Sequence, residues 1–186
     1  MRYVALLSVI AFTLGEIVLL VLRRSGSARV SRDRRSLMLF WIVLPVSITL
    51  ACRASWSCPA GKLPWGAALG ATGDVLVIAG LLLRWYSIWR LGRWFTVDVA
   101  LAPGQTLLRD GPYRYIRHPS YSGALMTLCG LGFLLDNIFS LAIIFIPPLM
   151  VFLRRIAIEE QVMSEAFGPE WTAYRAHSWK LVPGLY

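Results

Sequence analysis

The chain has 186 residues, 57% of them hydrophobic and only 16% charged, with a mean hydropathy of +0.60. A soluble domain of this length normally carries more charge, so the composition places the chain among membrane proteins. The net charge of +9, carried by arginines apart from Lys62 and Lys180, clusters between apolar runs and reads as membrane-flanking loops rather than a nucleic-acid surface.

In chain order, the first apolar run, Tyr3 to Leu22, holds 20 residues with a single charge, Glu16. A helix of that length spans about 30 Å, one hydrocarbon thickness. A cleaved signal peptide is the competing reading, given Arg2 and the "SGSAR" that follows. The length of the run and its stop at Arg23-Arg24 favour a retained helix. The segment Arg23 to Arg35 is arginine-rich with loop-forming Ser and Gly. The second run, Leu37 to Cys52, carries Pro45 as an expected kink and ends near Arg53.

A linker, "SWSCPAGKLPWG", carries turn signals and precedes the third run, from Trp65 to about Leu91, whose Gly66, Gly70 and Gly73 invite a close helix neighbour. Arg84 and Arg90 near its end are expected to snorkel toward headgroups. After a polar segment, Gly92 to Pro119, come two further runs, Ser120 to Leu135 and Ile138 to Leu153, parted only by Asp136-Asn137. At about 16 residues, or roughly 24 Å, each reads as one arm of a helical hairpin that barely spans, with Pro147-Pro148 bending the second. The tail, Arg154 to Tyr186, is amphipathic and charged.

The expected fold is all-α, a multi-pass integral membrane protein of about five transmembrane helices with a C-terminal helical hairpin and a cytoplasmic amphipathic tail. Five spans put Arg23–Arg35, Gly92–Arg117 and the tail on one side, with only Arg2, Arg53 and Lys62 opposite. The positive-inside rule then sets the N-terminus outside and the C-terminus in the cytoplasm. No internal repeat divides the chain, so residues 1–186 read as one domain, with three spans in 1–91 and a second half in 92–186.

Cys52, Cys58 and Cys129, with only His118 and His177 as imidazoles, form no metal-ligand spacing, so no metal is expected. Cys52 and Cys58 lie close enough in sequence to pair in an oxidising compartment; two unpaired thiols is the plainer reading. Glu16 and Asp74 are costly inside a membrane and are candidates for that reason. Glu16 is near enough to the end of its run to reach water, and Asp74 receives no role.

Two polar segments share the cytoplasmic side. In "GQTLLRDGPYRYIRHPSY", Tyr113, His118 and Tyr121 stand at a helix entrance, and Pro119 suits the first turn, where its missing N–H costs nothing. Free N–H groups there can receive a carboxylate or phosphate. Arg and Tyr equally anchor any helix at the interface, and Arg114 and Arg117 read that way. From the residues alone both readings stand. In "RRIAIEEQVMSEAFGPEWTAYRAH", Arg155 and Glu159 are four residues apart on one helix face. On spacing alone this is an ordinary helix ion pair.

Together, "GQTLLRDGPYRYIRHPSYSG" and "RRIAIEEQVMSEAFGPEWTAYR" resemble the isoprenylcysteine carboxyl methyltransferase family of integral membrane enzymes, over about Trp94 to Arg175. The resemblance implies a cytoplasm-facing pocket for S-adenosylmethionine and a lipophilic substrate that arrives from the bilayer and is methylated on its carboxylate. Carried over by position, the cofactor contacts fall on Gln105, Thr106, Leu107, Leu108, Tyr113, His118, Pro119, Ser120, Tyr121 and Glu159, and the substrate contact on Arg155. Arg155 and Glu159 are the pair implied to serve catalysis. Gln105 stands where the family commonly has histidine; glutamine keeps hydrogen bonding but not protonation. A further cofactor contact is implied within Thr96–Ala100 without a fixed position.

Methyl transfer to a carboxylate needs no general base, since the acceptor is already ionised near neutral pH. Alignment and exclusion of water are the available sources of rate. The partners implied are the lipophilic carboxylate and membrane lipid, with no nucleic acid and no metal. A phospholipid or amine N-methyltransferase is the nearest alternative, and an NADPH-dependent sterol-type reductase, whose relatives are typically larger, the next.

Overall fold

The structure, a computed structural model, describes residues 9–10, 12–18, 34–64, 66–95 and 104–186, with only the backbone at 34–37, 66 and 67. Most of the basic segment Arg23–Arg35 and all of Thr96–Ala100 lie outside the described residues. Helix α1 is described over 12–18; α2 is Arg34–Ser57, α3 Gly66–Leu91, α4 Pro119–Leu134, α5 Ile138–Phe167 and α6 Pro169–Ala176. Among the described residues no strand forms, only isolated bridges between Lys62 and Asn137 and between Ile116 and Trp179.

Three described helices are long and apolar enough to cross a membrane: Met38–Ser57, Ala68–Trp94 and Ile138–Phe167. Exposed apolar side chains recur every three or four residues on their outer faces (Met38, Ile42, Val46 and Leu50; Val75, Ile78 and Leu82). Such stripes fit lipid, and over its described residues the chain is an all-helical integral membrane protein.

Helix α3 packs on α4 and α2 on α5, with α4 and α5 in contact between them. The α3–α4 seam is made by glycines seven residues apart on each helix. A Cβ on Gly80 would lie 2.6 Å from the Gly123 carbonyl oxygen, and one on Gly130 would lie 2.6 Å from that of Gly73. Only glycine allows backbones this close. Gly73 fulfils the sequence expectation, whereas its partner in the seam is Gly80. Between α2, α4 and α5 the rings of Phe40, Phe152 and Tyr121 meet, with centroids 5.4 and 5.0 Å from Phe152.

Asn137 starts α5: its side chain accepts from the N–H groups of Phe139 (3.0 Å) and Ser140 (3.1 Å) and donates to the Cys58 carbonyl at 2.8 Å. The same residue therefore caps a helix and ties the α2–α3 linker to the α4–α5 turn. Cys52 and Cys58 are both free thiols, as the plainer reading had it.

Three expectations fail. The second arm of the hairpin does not stop at Leu153, because α5 continues through Pro147-Pro148 for 30 residues to Phe167. At 1.5 Å per residue that is about 45 Å, so the helix outruns a ~30 Å hydrocarbon core and carries Arg155 and Glu159 on the same rigid rod. It ends at Gly168, whose φ of +49° breaks the helix, with Pro169 opening α6.

Nor does Arg84 snorkel, and Glu16 does not reach water. The two are buried against each other, with side chains 6% and 5% exposed and Arg84 Nε 2.6 Å from Glu16 Oε1. Arg84 Nη2 also donates to Glu16 Oε2 at 2.7 Å, and Nη1 donates to the Ser120 carbonyl and Oγ at 3.1 and 3.0 Å. A buried guanidinium is tolerable only when it is paired, and this one is held by Glu16 through the ion pair and by Ser120 through its Nη1, joining α1, α3 and the first turn of α4.

Candidate active site

The polar segment before α4 is folded by short-range turns. Gly111 takes φ +55° to open a single 3-10 turn over Gly111–Arg114, and His118 precedes Pro119 at the first position of α4. Tyr113 is thereby turned inward, its hydroxyl donating to the Ser87 carbonyl on α3 at 3.3 Å. Tyr174 on α6 donates to the Tyr113 carbonyl at 2.6 Å, and Arg109 donates to Glu170 Oε1 at 2.6 Å. Helix α6 is thus drawn over the segment as a wall.

Between that wall, α3's end, α4's first turn and the last turns of α5 lies a cavity of about 130 Å³. A single water needs roughly 10–15 Å³ on the same measure, so this is ligand-sized space rather than a packing fault. Of the expected residues, Gln105, Thr106, Leu107, Leu108, Tyr113, His118, Ser120, Tyr121 and Glu159 all line it. Pro119 is buried beneath them, shaping the turn without lining the cavity. Arg155 is not part of the lining either. It lies behind Tyr121, its side chain 5% exposed, with Nε donating to the Tyr121 hydroxyl at 3.2 Å and Nη2 3.6 Å from Glu159 Oε1. The Tyr121 hydroxyl in turn donates to Glu159 Oε1.

His118 stacks on Tyr121, with centroids 5.8 Å apart, and sits between two carboxylates. Its Nδ1 is 3.4 Å from Glu159 Oε2 and its Nε2 is 3.6 Å from Glu160 Oε1, the second an ion-pair separation that leaves Nε2 without a hydrogen bond. Burial pulls the imidazole pKa down, but the two glutamates outweigh it and hold the value above its ordinary range. Burial raises the Tyr113 phenol and pushes Tyr174 up to about 12 despite Arg117 and Arg109 nearby, so both stay neutral.

Sequence reasoning missed part of the site. Arg117 is no interface anchor: its side chain is 7% exposed, and its Nε donates to Glu160 Oε1 at 2.8 Å. Arg114 does stay exposed, stacked over the Tyr115 ring at 5.6 Å. Trp94, Phe95, Trp171 and Tyr174 add aromatic faces to the cavity, and the Trp171 Nε1 is buried without a partner. The signal for the last two was present in "PEWTAYR", where Trp171 and Tyr174 are three residues apart on one helix face. The contact expected within Thr96–Ala100 lies outside the described residues.

Residues 74–165 match the model of the isoprenylcysteine carboxyl methyltransferase family. Among curated proteins, the chain is 32% identical over 104 residues to protein-S-isoprenylcysteine O-methyltransferase B of Arabidopsis thaliana, covering 55% of this chain and 53% of that one. It is 33% identical over 110 residues to a probable protein-S-isoprenylcysteine O-methyltransferase of Oryza sativa subsp. indica (57% and 58%). To the Saccharomyces cerevisiae enzyme of that name it is 32% identical over 105 residues (55% and 44%). The aligned region therefore spans about half the length of the curated relatives it matches. A solved structure of the eukaryotic intramembrane Ras methyltransferase ICMT shares the fold, with a TM-score of 0.65 and 24% identity over 82% of this chain and 54% of that one. The matched segment holds α4, most of α3 and α5, and Glu159, the charged residue that lines the cavity from α5; over residues 74–165 the chain is similar to the isoprenylcysteine carboxyl methyltransferase family.

Proposed function

We propose that the chain is an S-adenosylmethionine-dependent methyltransferase that O-methylates the carboxylate of a lipophilic, isoprenylcysteine-like substrate. The observation that carries this reading is the convergence on one cavity of residues 105–108, Tyr113, His118, Ser120, Tyr121 and Glu159, with a buried Arg155 directly behind. In this account the domain is 1–186, five spans cross the bilayer, and the C-terminal hairpin and tail bring the cavity to the cytoplasmic face. The N-terminus then lies outside.

The residues present suit that cofactor. Glu159 would hold its ammonium and Arg117 its carboxylate, and Tyr113, Tyr121, Trp171 and Tyr174 would offer aromatic faces to its adenine and sulfonium. The Trp171 Nε1–H, buried without a protein partner in the cavity wall, is a donor open to a polar ligand. When bound, the cofactor supplies an electrophilic methyl group on a sulfonium. Arg155 holds the acceptor carboxylate, which is already ionised and needs no base. Too tight a clamp would lower its nucleophilicity, so Arg155 positions more than it activates. Tyr121, bonded to both Arg155 and Glu159, fixes the two ends of the site relative to each other, and the aromatic walls exclude water.

Titration of detergent-solubilised protein with S-adenosylhomocysteine and with NADPH tests the reading. Saturable binding of the first, weakened in Glu159→Gln, is expected; binding of NADPH alone would overturn it.

A further inference from the structure

A second hollow lies behind the cavity, between α6 and the C-terminal residues 178–186, with Arg117 forming the partition between the two. Its floor is a strap of chain bonded to the entrance of α4. The N–H of Arg117 donates to the Trp179 carbonyl at 2.7 Å, the N–H of His118 to the Lys180 carbonyl at 3.1 Å, and Ser122 Oγ to the Leu181 carbonyl at 2.6 Å. The strap therefore sits at the level where α4 enters its apolar run, which on the membrane reading is the headgroup layer.

Two features of this hollow are unexplained by the cavity beside it. Arg175 points from α6 to its rim, exposed, and among the described residues its side chain makes no ion pair or hydrogen bond. Lys180 faces it, 3.6 Å from Glu160 Oε2 and over the Tyr186 ring at 5.0 Å. Glu160 is already met by Arg117, so the hollow keeps a positive balance. Trp179 in its lining is exposed, and so are Val182 and Leu185, which follow Lys180 along the same strap outside the lining, Leu185 to 80%. Cations set beside outward aromatic and aliphatic groups, at headgroup depth, are the composition of an anionic interface site.

We propose that this hollow binds the phosphate headgroup of an anionic phospholipid, Arg175 and Lys180 taking the phosphate while Trp179, Val182 and Leu185 seat in the acyl boundary. An acidic protein partner suits it less, since such a partner gains nothing from Leu185 and Val182 at bilayer depth. The site is independent of the methyl-transfer reading, because none of these five residues lines the cavity.

Native mass spectrometry of the full chain in detergent, titrated with phosphatidylglycerol, phosphatidylcholine or poly-glutamate, tests it. Phosphatidylglycerol is expected to bind at least about tenfold tighter than phosphatidylcholine. Arg175→Glu should weaken it by about fivefold or more, the worth of one cation near such a headgroup. Arg114→Glu, an equal charge change on an exposed arginine outside the hollow, should weaken it less than about twofold. Arg175→Gln replaces Arg175→Glu if the reversal lowers the melting temperature. Equal binding of phosphatidylcholine, an equal loss in Arg114→Glu, tighter binding of poly-glutamate, or displacement by millimolar inorganic phosphate would each overturn the proposal.

Discussion

Replacing Glu16 with leucine isolates the Arg84 guanidinium in a place that water does not reach. Both side chains are about 5% exposed and 2.6 Å apart, so the loss is that of a buried partner, not of a surface pair. Removing one member of such a pair costs about 3–5 kcal/mol, whereas replacing both by apolar residues of similar size is often near neutral. At roughly 2–4 °C per kcal/mol for a chain of this size, Glu16→Leu should lower the melting temperature by about 6–20 °C. The double change Glu16→Leu with Arg84→Met should recover most of that. It should not recover the site, because Arg84 Nη1 also holds the Ser120 carbonyl and hydroxyl at 3.1 and 3.0 Å. Those charge-assisted bonds fix the first turn of α4, where His118 and Tyr121 face the cavity, and their loss should weaken S-adenosylhomocysteine binding by about tenfold. Differential scanning fluorimetry and isothermal titration calorimetry read the two effects separately. A Glu16→Leu protein that melts within about 2 °C of the parent, or a double variant less stable than either single one, would refute the reasoning.

Glu159→Gln should weaken cofactor binding by about 1.5–3 kcal/mol, the worth of a charged hydrogen bond, as measured by calorimetry. Trp171→Phe removes a buried N–H that lacks a partner in the protein, so it should leave the melting temperature unchanged or raised while lowering cofactor affinity by a few-fold. Gly123→Ala sets a Cβ 2.6 Å from the Gly80 carbonyl oxygen and the Arg84 nitrogen, and should cost about 1–3 kcal/mol in thermal stability. His118 has a folded pKa above its unfolded one, so its contribution is full below about 6.5 and fades as pH rises through the folded value. Melting temperature followed from pH 6 to 9 should fall in the parent, and this component of the slope should vanish in His118→Gln.

The apolar runs made α2, α3 and α4 legible nearly to their ends, because membrane helices announce themselves by length and composition. The polar half was legible through residues close in sequence: the turn at Gly111, the Pro119 start, and the four-residue spacing of Arg155 and Glu159 on one helix. What the sequence hid is pairing over distance. Glu16 and Arg84 are 68 residues apart, and each alone reads as a charge seeking water. Arg117 and Glu160 are 43 apart, so Arg117 looked like one more basic anchor in an arginine-rich loop. The end of α5 was misjudged for a different reason. Pro147-Pro148 and the first charges at Arg154-Arg155 both resemble stop signals, yet neighbouring helices support backbone freed by proline, and a rod that leaves the bilayer has every reason to become charged.

The central claim is a chemical one and is tested most directly by the product. The purified protein in detergent or nanodiscs is incubated with methyl-labelled S-adenosylmethionine and a farnesylated cysteine bearing a free carboxylate, alongside a lipid amine. The account predicts label on the farnesylcysteine that is released as methanol by mild base, and loss of that label in Arg155→Ala. Label in a base-stable N-methyl product on the lipid amine, with none on the carboxylate, would contradict it.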